Sequence, residues 1–321
     1  MRPRILVLRA LGLGDFLTGV PAYRAVRRAF PDHRLVLAAP GGLAPLVPLT
    51  QAVDELLPTG ELEPIRWTGP APDIAIDLHG RGPASHQLVA ALHPRRLIVF
   101  GGDHAGGFTG PAWRPGENEV ARWCRLCEES GIPADPGDLL LAPPQPVAPA
   151  FTLLHPGAAA PARRWPASSF AAVGQRLAAG GHVVRITGSA AECDLASRVA
   201  RLAGLPGEHV LAGRTSLAGL AALTASARLV ISGDTGMAHL ASAYARPSVT
   251  LFGPVPPSEW GPPRHPRHQV IWEGAPGYRG DPHASRTDPA LCAITVDAVC
   301  EAAVVALRAP AVHIRSDNGA P

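Results

Sequence analysis

Short runs of consecutive apolar residues alternate along the chain with stretches of helical periodicity. Residues 5–8 (ILVL), 34–40 (RLVLAAP), 73–80 (DIAIDLHG) and 96–102 (RLIVFGG) read as strands, each leading into a loop that contains glycine or proline. A run that is apolar at every position belongs to a strand covered on both faces, as in a parallel sheet. Helical patterns at 16–29, 43–50, 84–92 and 117–130 fall between these runs. The alternation then restarts, with strands expected at 151–157, 183–189, 210–213, 229–233, 249–254 and 269–272. Helices are expected at 167–179, 190–203, 217–227, directly after 236, and at 295–307. Strands alternating with helices predict an α/β fold. The two series imply two Rossmann-like, doubly wound parallel-sheet domains facing a central cleft, lined by the C-terminal ends of the strands.

The series meet at residues 134–149, which end in PPQPVAP, the one extended proline-rich connector in the interior. It divides the chain into domains at 1–148 and 149–308 and supplies a natural hinge. The polar tail, 309–321, is expected to be disordered.

Composition narrows the classes. Apolar residues make up 46% of the 321 and charged residues 17%, which fits a globular chain of about two domains. A net charge of +3, dispersed along the sequence, gives no footprint for nucleic acid. No lysine occurs, so the 29 strong cations are all arginine. That excludes a Walker A lysine and a lysine Schiff base, and leaves any phosphate clamp to arginine, backbone amide or histidine. The N-terminus, MRPRILVLRALGLGD, lacks the cleavage pattern of a signal peptide, and no apolar stretch reaches the roughly 20 residues of a membrane span. The five cysteines form no framework: Cys124 and Cys127 sit in a helical pattern, WCRLCEES, with no second pair at zinc spacing. They read as buried or surface thiols of a reducing compartment. The expected place is the cytoplasm, with peripheral contact at the inner face of the membrane, and the expected state a monomer without cofactor or metal.

Asp15, His79, His155, Arg163, Glu192 and Asp234 all fall at or after the C-terminal ends of their strands, where open α/β sheets bind ligands. The centre of the pattern is residues 231–254, ISGDTGMAHLASAYARPSVTLFGP. A Gly-Asp-Thr-Gly turn at a helix start aims free amides and the helix dipole at one spot, which suits a phosphate. Asp234, Thr235 and His239 are the polar groups there; the plainer alternative is that Asp234 or Thr235 caps the helix. Asp15 is either an N-cap or a carboxylate facing the cleft, ionised at neutral pH and able to accept a hydroxyl proton. Arg163 and Arg164 are either a solvated loop or a clamp. Glu192 either accepts from ribose hydroxyls or biases the first turn of its helix. His239 is a buried polar residue or a charge-assisted donor to a diphosphate. The first turn, G-x-G-D, lacks the third glycine and later acidic residue of a dinucleotide fingerprint, which argues against a nicotinamide enzyme.

Four motifs in order, LGLGD, HPGA followed by RRWP, TGSAAE and SGDTGMAHLASA, resemble glycosyltransferase family 9, the ADP-heptose:lipopolysaccharide heptosyltransferases, over most of residues 1–305. The resemblance implies the two-domain GT-B fold, inversion at the anomeric carbon, no metal, an acceptor on the N-terminal domain and a nucleotide sugar on the C-terminal one. It implies that Asp15 is the general base, and that Arg163 and His239 stabilise the leaving group. Asp234, Thr235, Gly236 and Met237 would surround the diphosphate and sugar, with Ser189 and Glu192 on the nucleotide. Gly14, His79 and Arg81 would lie on the acceptor side, among loops at 41–43, 79–85 and 101–110. The last helix would pack back across the domain junction. Two departures stand out. The usual cation two positions before the tryptophan is lysine, here Arg163, and the segment 274–292 keeps only Cys292 where several members cluster cysteines. The function implied is transfer of a sugar, heptose or related, from a nucleotide-diphosphate donor, ADP-linked, to a hydroxyl of a glycan or glycolipid. The rivals are an epimerase or hydrolase on the same scaffold, and a non-catalytic nucleotide-sugar-binding protein.

Overall fold

The computed structural model of the protein describes residues 2–142, 144 and 151–310. The first half runs β1 (Arg4–Leu8), α1 (Leu13–Thr18), α2 (Val20–Ala29), β2 (Arg34–Ala39), β3 (Glu55–Pro58), β4 (Ile74–Asp77), α3 (Ala84–Ala90), β5 (Arg96–Ile98) and α4 (Glu119–Glu129). The second runs β6 (Phe151–His155), α5 (Ala167–Ala179), β7 (Val183–Ile186), α6 (Cys193–Ala203), α7 (Leu217–Ala225), β8 (Ala227–Gly233), α8 (Gly236–Ala243), β9 (Ser248–Leu251), α9 (Pro257–Trp260), β10 (His268–Ile271), α10 (Pro289–Ala293) and α11 (Val296–Arg308).

Each half holds one five-stranded sheet, ordered β3-β2-β1-β4-β5 and β10-β9-β8-β6-β7, and every pairing is parallel. The apolar runs are explained by burial on both faces: Ile5, Leu6 and Val7 of β1 are all fully covered, their side chains shared between two separate apolar clusters. In the first sheet the chain reverses its direction of travel between β1 and β4, and in the second between β6 and β8. Crevices open at such reversals. The segments carrying Asp15, His79, Arg163 and Asp234 follow β1, β4, β6 and β8 respectively, so the topology alone brings those four segments to the two crevices.

The halves meet through an apolar seam. Ala221 of α7, Leu240 and Ala243 of α8, and Tyr244 belong to the same buried cluster as Ile5, Phe16 and Tyr23 of the first half. The N–H of Leu141 donates to the Ala243 carbonyl at 2.9 Å, and α8 lies along α1. A side-chain carbon on Gly236 of α8 would stand 2.8 Å from Cβ of Leu13 in α1. Only glycine fits without displacing Leu13. Gly236→Ala is expected to cost about 1–3 kcal/mol, read as a lower urea midpoint, with transfer activity falling as the two helices separate. An unchanged midpoint would show that the seam is looser than its packing.

Several expected elements differ. The helix at 16–29 starts earlier and breaks at Gly19 into α1 and α2, because Pro21 removes an N–H that a continuous helix would use. Residues 43–50 form two 3₁₀ turns around Pro45 and Pro48 rather than a helix. Residues 210–213 are not a strand: Val210 makes one bridge to Ile186 after a tight turn. β3 was not expected, since ELLP is short and only half-buried at the sheet edge. Among the described residues the last helix, α11, makes its main contacts with α5, β8, β9 and β10 of its own half and none of comparable extent with an element of the first. The domain division at 148/149 and all of the expected tail beyond Pro310 lie outside the described residues.

Candidate active site

The RRWP loop shows how three adjacent residues divide their work. Trp165 is buried against Phe170 with ring centroids 5.2 Å apart, and its Nε1–H donates to the Ile294 carbonyl at 3.2 Å. Arg164 turns back on the loop, donating from Nε to the Ala158 carbonyl at 2.8 Å. With its neighbours fixed, Arg163 projects into a cavity of about 460 Å³, and its buried Nε has no protein partner among the described residues.

The same cavity is lined by Gly14 and Asp15 from the first half and by His155, Glu192, Asp234, Thr235, Gly236 and His239 from the second. Of the twelve residues to which the family resemblance gives a role, the structure therefore brings together eight: Gly14, Asp15, Arg163, Glu192, Asp234, Thr235, Gly236 and His239. Ser189, Met237, His79 and Arg81 do not line it. Met237 is buried in an apolar cluster beneath α8, Ser189 and Arg81 are exposed, and His79 is half-buried at the end of β4 with its N–H on Asp77 Oδ1 at 2.7 Å.

Asp15 is not the N-cap of α1; that position is Gly12, and Asp15 stands in the first turn. Burial raises its pKa above the ordinary 3.8, opposed by the Arg9 guanidinium and helped by the charge of Glu119. A carboxylate so placed holds a proton better than one in water, which suits a base. Across the cavity, burial pushes Asp234 up to about 7, with Arg163 pulling it down and the charge of Asp15 pushing it further up. Burial lowers His239 to about 4. A ring lowered that far is uncharged at neutral pH, and it packs edge-on to Trp260 with centroids 5.9 Å apart.

At two of the loops a residue that takes part in a helix cap also lines the cavity. Thr235 is the N-cap of α8, its Oγ1 accepting the Met237 N–H at 3.3 Å, while its carbonyl accepts from Ala238 at 3.0 Å. Gly236 keeps its amide at the helix mouth, where an anion is favoured. Glu192 and Ser189 form a capping box, Ser189 donating its N–H to Glu192 Oε2 at 2.6 Å. The other oxygen, Oε1, lies over Gly157, where any side chain would overlap it. His155 donates to or accepts from Thr187 Oγ1 at 3.0 Å, and burial lowers its pKa.

Asp234 makes the cavity sensitive to pH. An anion placed beside Arg163 and Asp234 raises the aspartate further above 7, so binding takes up a proton. Affinity for a nucleoside diphosphate is then expected to fall as pH rises from 7 to 8. Calorimetry in two buffers of different ionisation enthalpy measures the uptake; none at pH 7.5 would assign the titration elsewhere.

Sequence reading missed Arg9, Trp260, Arg279 and His283. The last three line the cavity, and Arg279 is ion-paired with the buried Glu259. Arg9 lies behind Asp15. Its signal is an arginine ending a fully apolar strand, too near the core to be solvated. Among the described residues no group of three or more His, Cys, Asp or Glu is placed to hold a metal ion, and no helix is long and apolar enough to cross a membrane. All five cysteines are free; Cys124 and Cys127 are buried in α4, and burial pushes both thiols up, Cys127 to about 12.

The family described as glycosyltransferase family 9 (heptosyltransferase) matches residues 137–287, the stretch that supplies most of the cavity. The lipopolysaccharide heptosyltransferase 1 of Pseudomonas aeruginosa is 28% identical over 307 residues, covering 80% of this chain and 81% of the relative. The crystal structure of a family 9 glycosyl transferase from Veillonella parvula superposes with a TM-score of 0.76 at 19% identity, covering 96% of this chain and 98% of that one. The ADP-heptose lipopolysaccharide heptosyltransferase II of Escherichia coli does so with 0.73 at 24%, covering 95% and 98%. Both likenesses extend over the two sheets, which gives the chain the GT-B fold. With residues of its four motifs gathered around one cavity, the chain is similar along most of its length to the heptosyltransferases of glycosyltransferase family 9, and is a glycosyltransferase.

Proposed function

We propose that the protein transfers a heptose or related sugar from an ADP-linked donor to a hydroxyl of a glycan or glycolipid, with inversion and without a metal ion. The observation that carries this reading is that one cavity is lined by a carboxylate from the first half, Asp15, and by the Arg163 guanidinium, which has no hydrogen-bond or ion-pair partner among the described residues, and a helix N-terminus from the second. The names of its relatives, heptosyltransferases acting on lipopolysaccharide, supply the sugar and acceptor class.

In this reaction the acceptor oxygen attacks the anomeric carbon from the face opposite the diphosphate, Asp15 takes the hydroxyl proton, and the bond to the β-phosphate oxygen breaks. Negative charge moves to the departing nucleotide. Arg163 and the Gly236 amide are aimed at that charge, and preorganised donors at a developing charge lower a barrier most. Asp234, half-protonated near neutrality, and neutral His239 add hydrogen bonds. Glu192 Oε1 is the acceptor for ribose hydroxyls.

A panel of nucleotide sugars with a lipid-linked or soluble glycan acceptor tests the reading, the product anomer being read by NMR in the presence of EDTA. An inverted glycoside supports it. Retained configuration, or sugar released only as hydrolysis product, would overturn it.

A further inference from the structure

Behind Asp15 lies a buried ionic cluster that does not touch the cavity. Arg9 has no exposed surface, and a guanidinium taken out of water must find partners. It spreads them over three elements. Nε donates to the carbonyl of Asp15 and one terminal nitrogen to the carbonyl of Leu78, past the end of β4. The other terminal nitrogen donates to Thr18 Oγ1 at 2.9 Å and to Glu119 Oε1 at 3.1 Å. The group sits 4.7 Å from the centre of the Trp123 ring.

Glu119, first residue of α4, is 5% exposed and serves three donors: Arg9, the Nε1–H of Trp123 at 2.8 Å, and Arg122. The carboxylate of Asp15 is the second nearest to Arg9, with Oδ1 at 3.5 Å. Two carboxylates thus compete for one guanidinium, and Glu119 holds it at shorter range.

We propose that Arg9 and Glu119 are positioning residues for the general base. Arg9 locks the first turn of α1 to the end of β4, and Glu119 takes up its charge so that the carboxylate of Asp15 is left for the acceptor hydroxyl. The inference rests on Asp15 being the base. The charges acting on Asp15 agree with it: Arg9 lowers its proton affinity and Glu119 raises it, with a smaller lowering from His79 after β4. Tyr23 of α2 and Asp234 before α8 both feel the Asp15 charge. From α8, His239 feels both Arg9 and Glu119, so the same pair reaches the far wall of the cavity.

Glu119→Gln keeps the shape and removes the counter-charge. Arg9 then leans on Asp15, whose titration is expected to move down by ~1 pH unit. A weaker base lowers kcat at pH 8 about three- to tenfold, while the acid limb of the rate profile shifts to lower pH and the donor Kd stays within twofold. Arg9→Lys keeps the charge but cannot span four acceptors with one ammonium. It is expected to lower kcat with little movement of the limb. The direct readout is the carbon-13 carboxyl shift of Asp15, followed with pH in wild type and Glu119→Gln. An Asp15 titration unmoved by Glu119→Gln overturns the proposal. Activity surviving in Asp15→Asn would instead overturn the base assignment, so the two failures are distinct.

Discussion

Asp15→Asn is expected to reduce sugar transfer by about 10²–10⁴-fold while the dissociation constant for the nucleotide donor changes by less than threefold. The magnitude is that of a lost general base. The separation follows from the geometry: Asp15 enters from the first half, whereas Arg163, Glu192 and the mouth of α8 all belong to the second. Steady-state rates and calorimetric titration on the same preparation measure the two quantities. A variant that retains transfer, or that loses donor binding in step with rate, contradicts the division of labour between the halves.

Arg163→Ala comes next in expected effect. It removes a cavity-lining cation that has no carboxylate within ion-pairing distance among the described residues, and under the proposed mechanism a lost preorganised donor of this kind costs ~3 kcal/mol, roughly a hundredfold in kcat. Unlike Asp15→Asn, it should weaken donor binding too, because the diphosphate carries charge before the transition state. Arg163→Lys is expected to stay within about tenfold of wild type, since an ammonium keeps the charge and loses only the planar fork. A lysine variant as impaired as alanine would show that bidentate geometry, and not charge, holds the phosphates.

The strands were legible because parallel strands buried on both faces leave an unmixed apolar signal, and ILVL, RLVLAA and FTLLH all carry it. β3 and residues 210–213 were misread for one reason: at a sheet edge the signal no longer separates a paired strand from an extended loop. The site motifs were legible as loops because each follows a strand. Their chemistry was only half legible. Nothing in GDTGMAH says that burial keeps His239 neutral, or that Thr235 caps its helix and lines the cavity at once. Glu192 likewise closes the capping box with one oxygen while the other lies over Gly157. The pairing of Arg9 with Glu119 joins positions 110 residues apart and leaves no local pattern. The contact between α7–α8 and the first half was hidden because α7 is apolar around its whole circumference, so periodicity gives it no preferred face.

The seam along α8 sets a rule for building chimeras from this family. An engineer who wishes to pair the second half of this chain with a foreign first half would cut at the proline-rich connector, the obvious joint in the primary structure. Such a graft would carry Leu240, Ala243 and Tyr244 away from the pocket that Phe16 and Tyr23 complete, and would set an unmatched residue opposite Gly236. The transplantable module is thus the incoming half together with the inward faces of α7 and α8, a boundary drawn through space and not at a point in the chain.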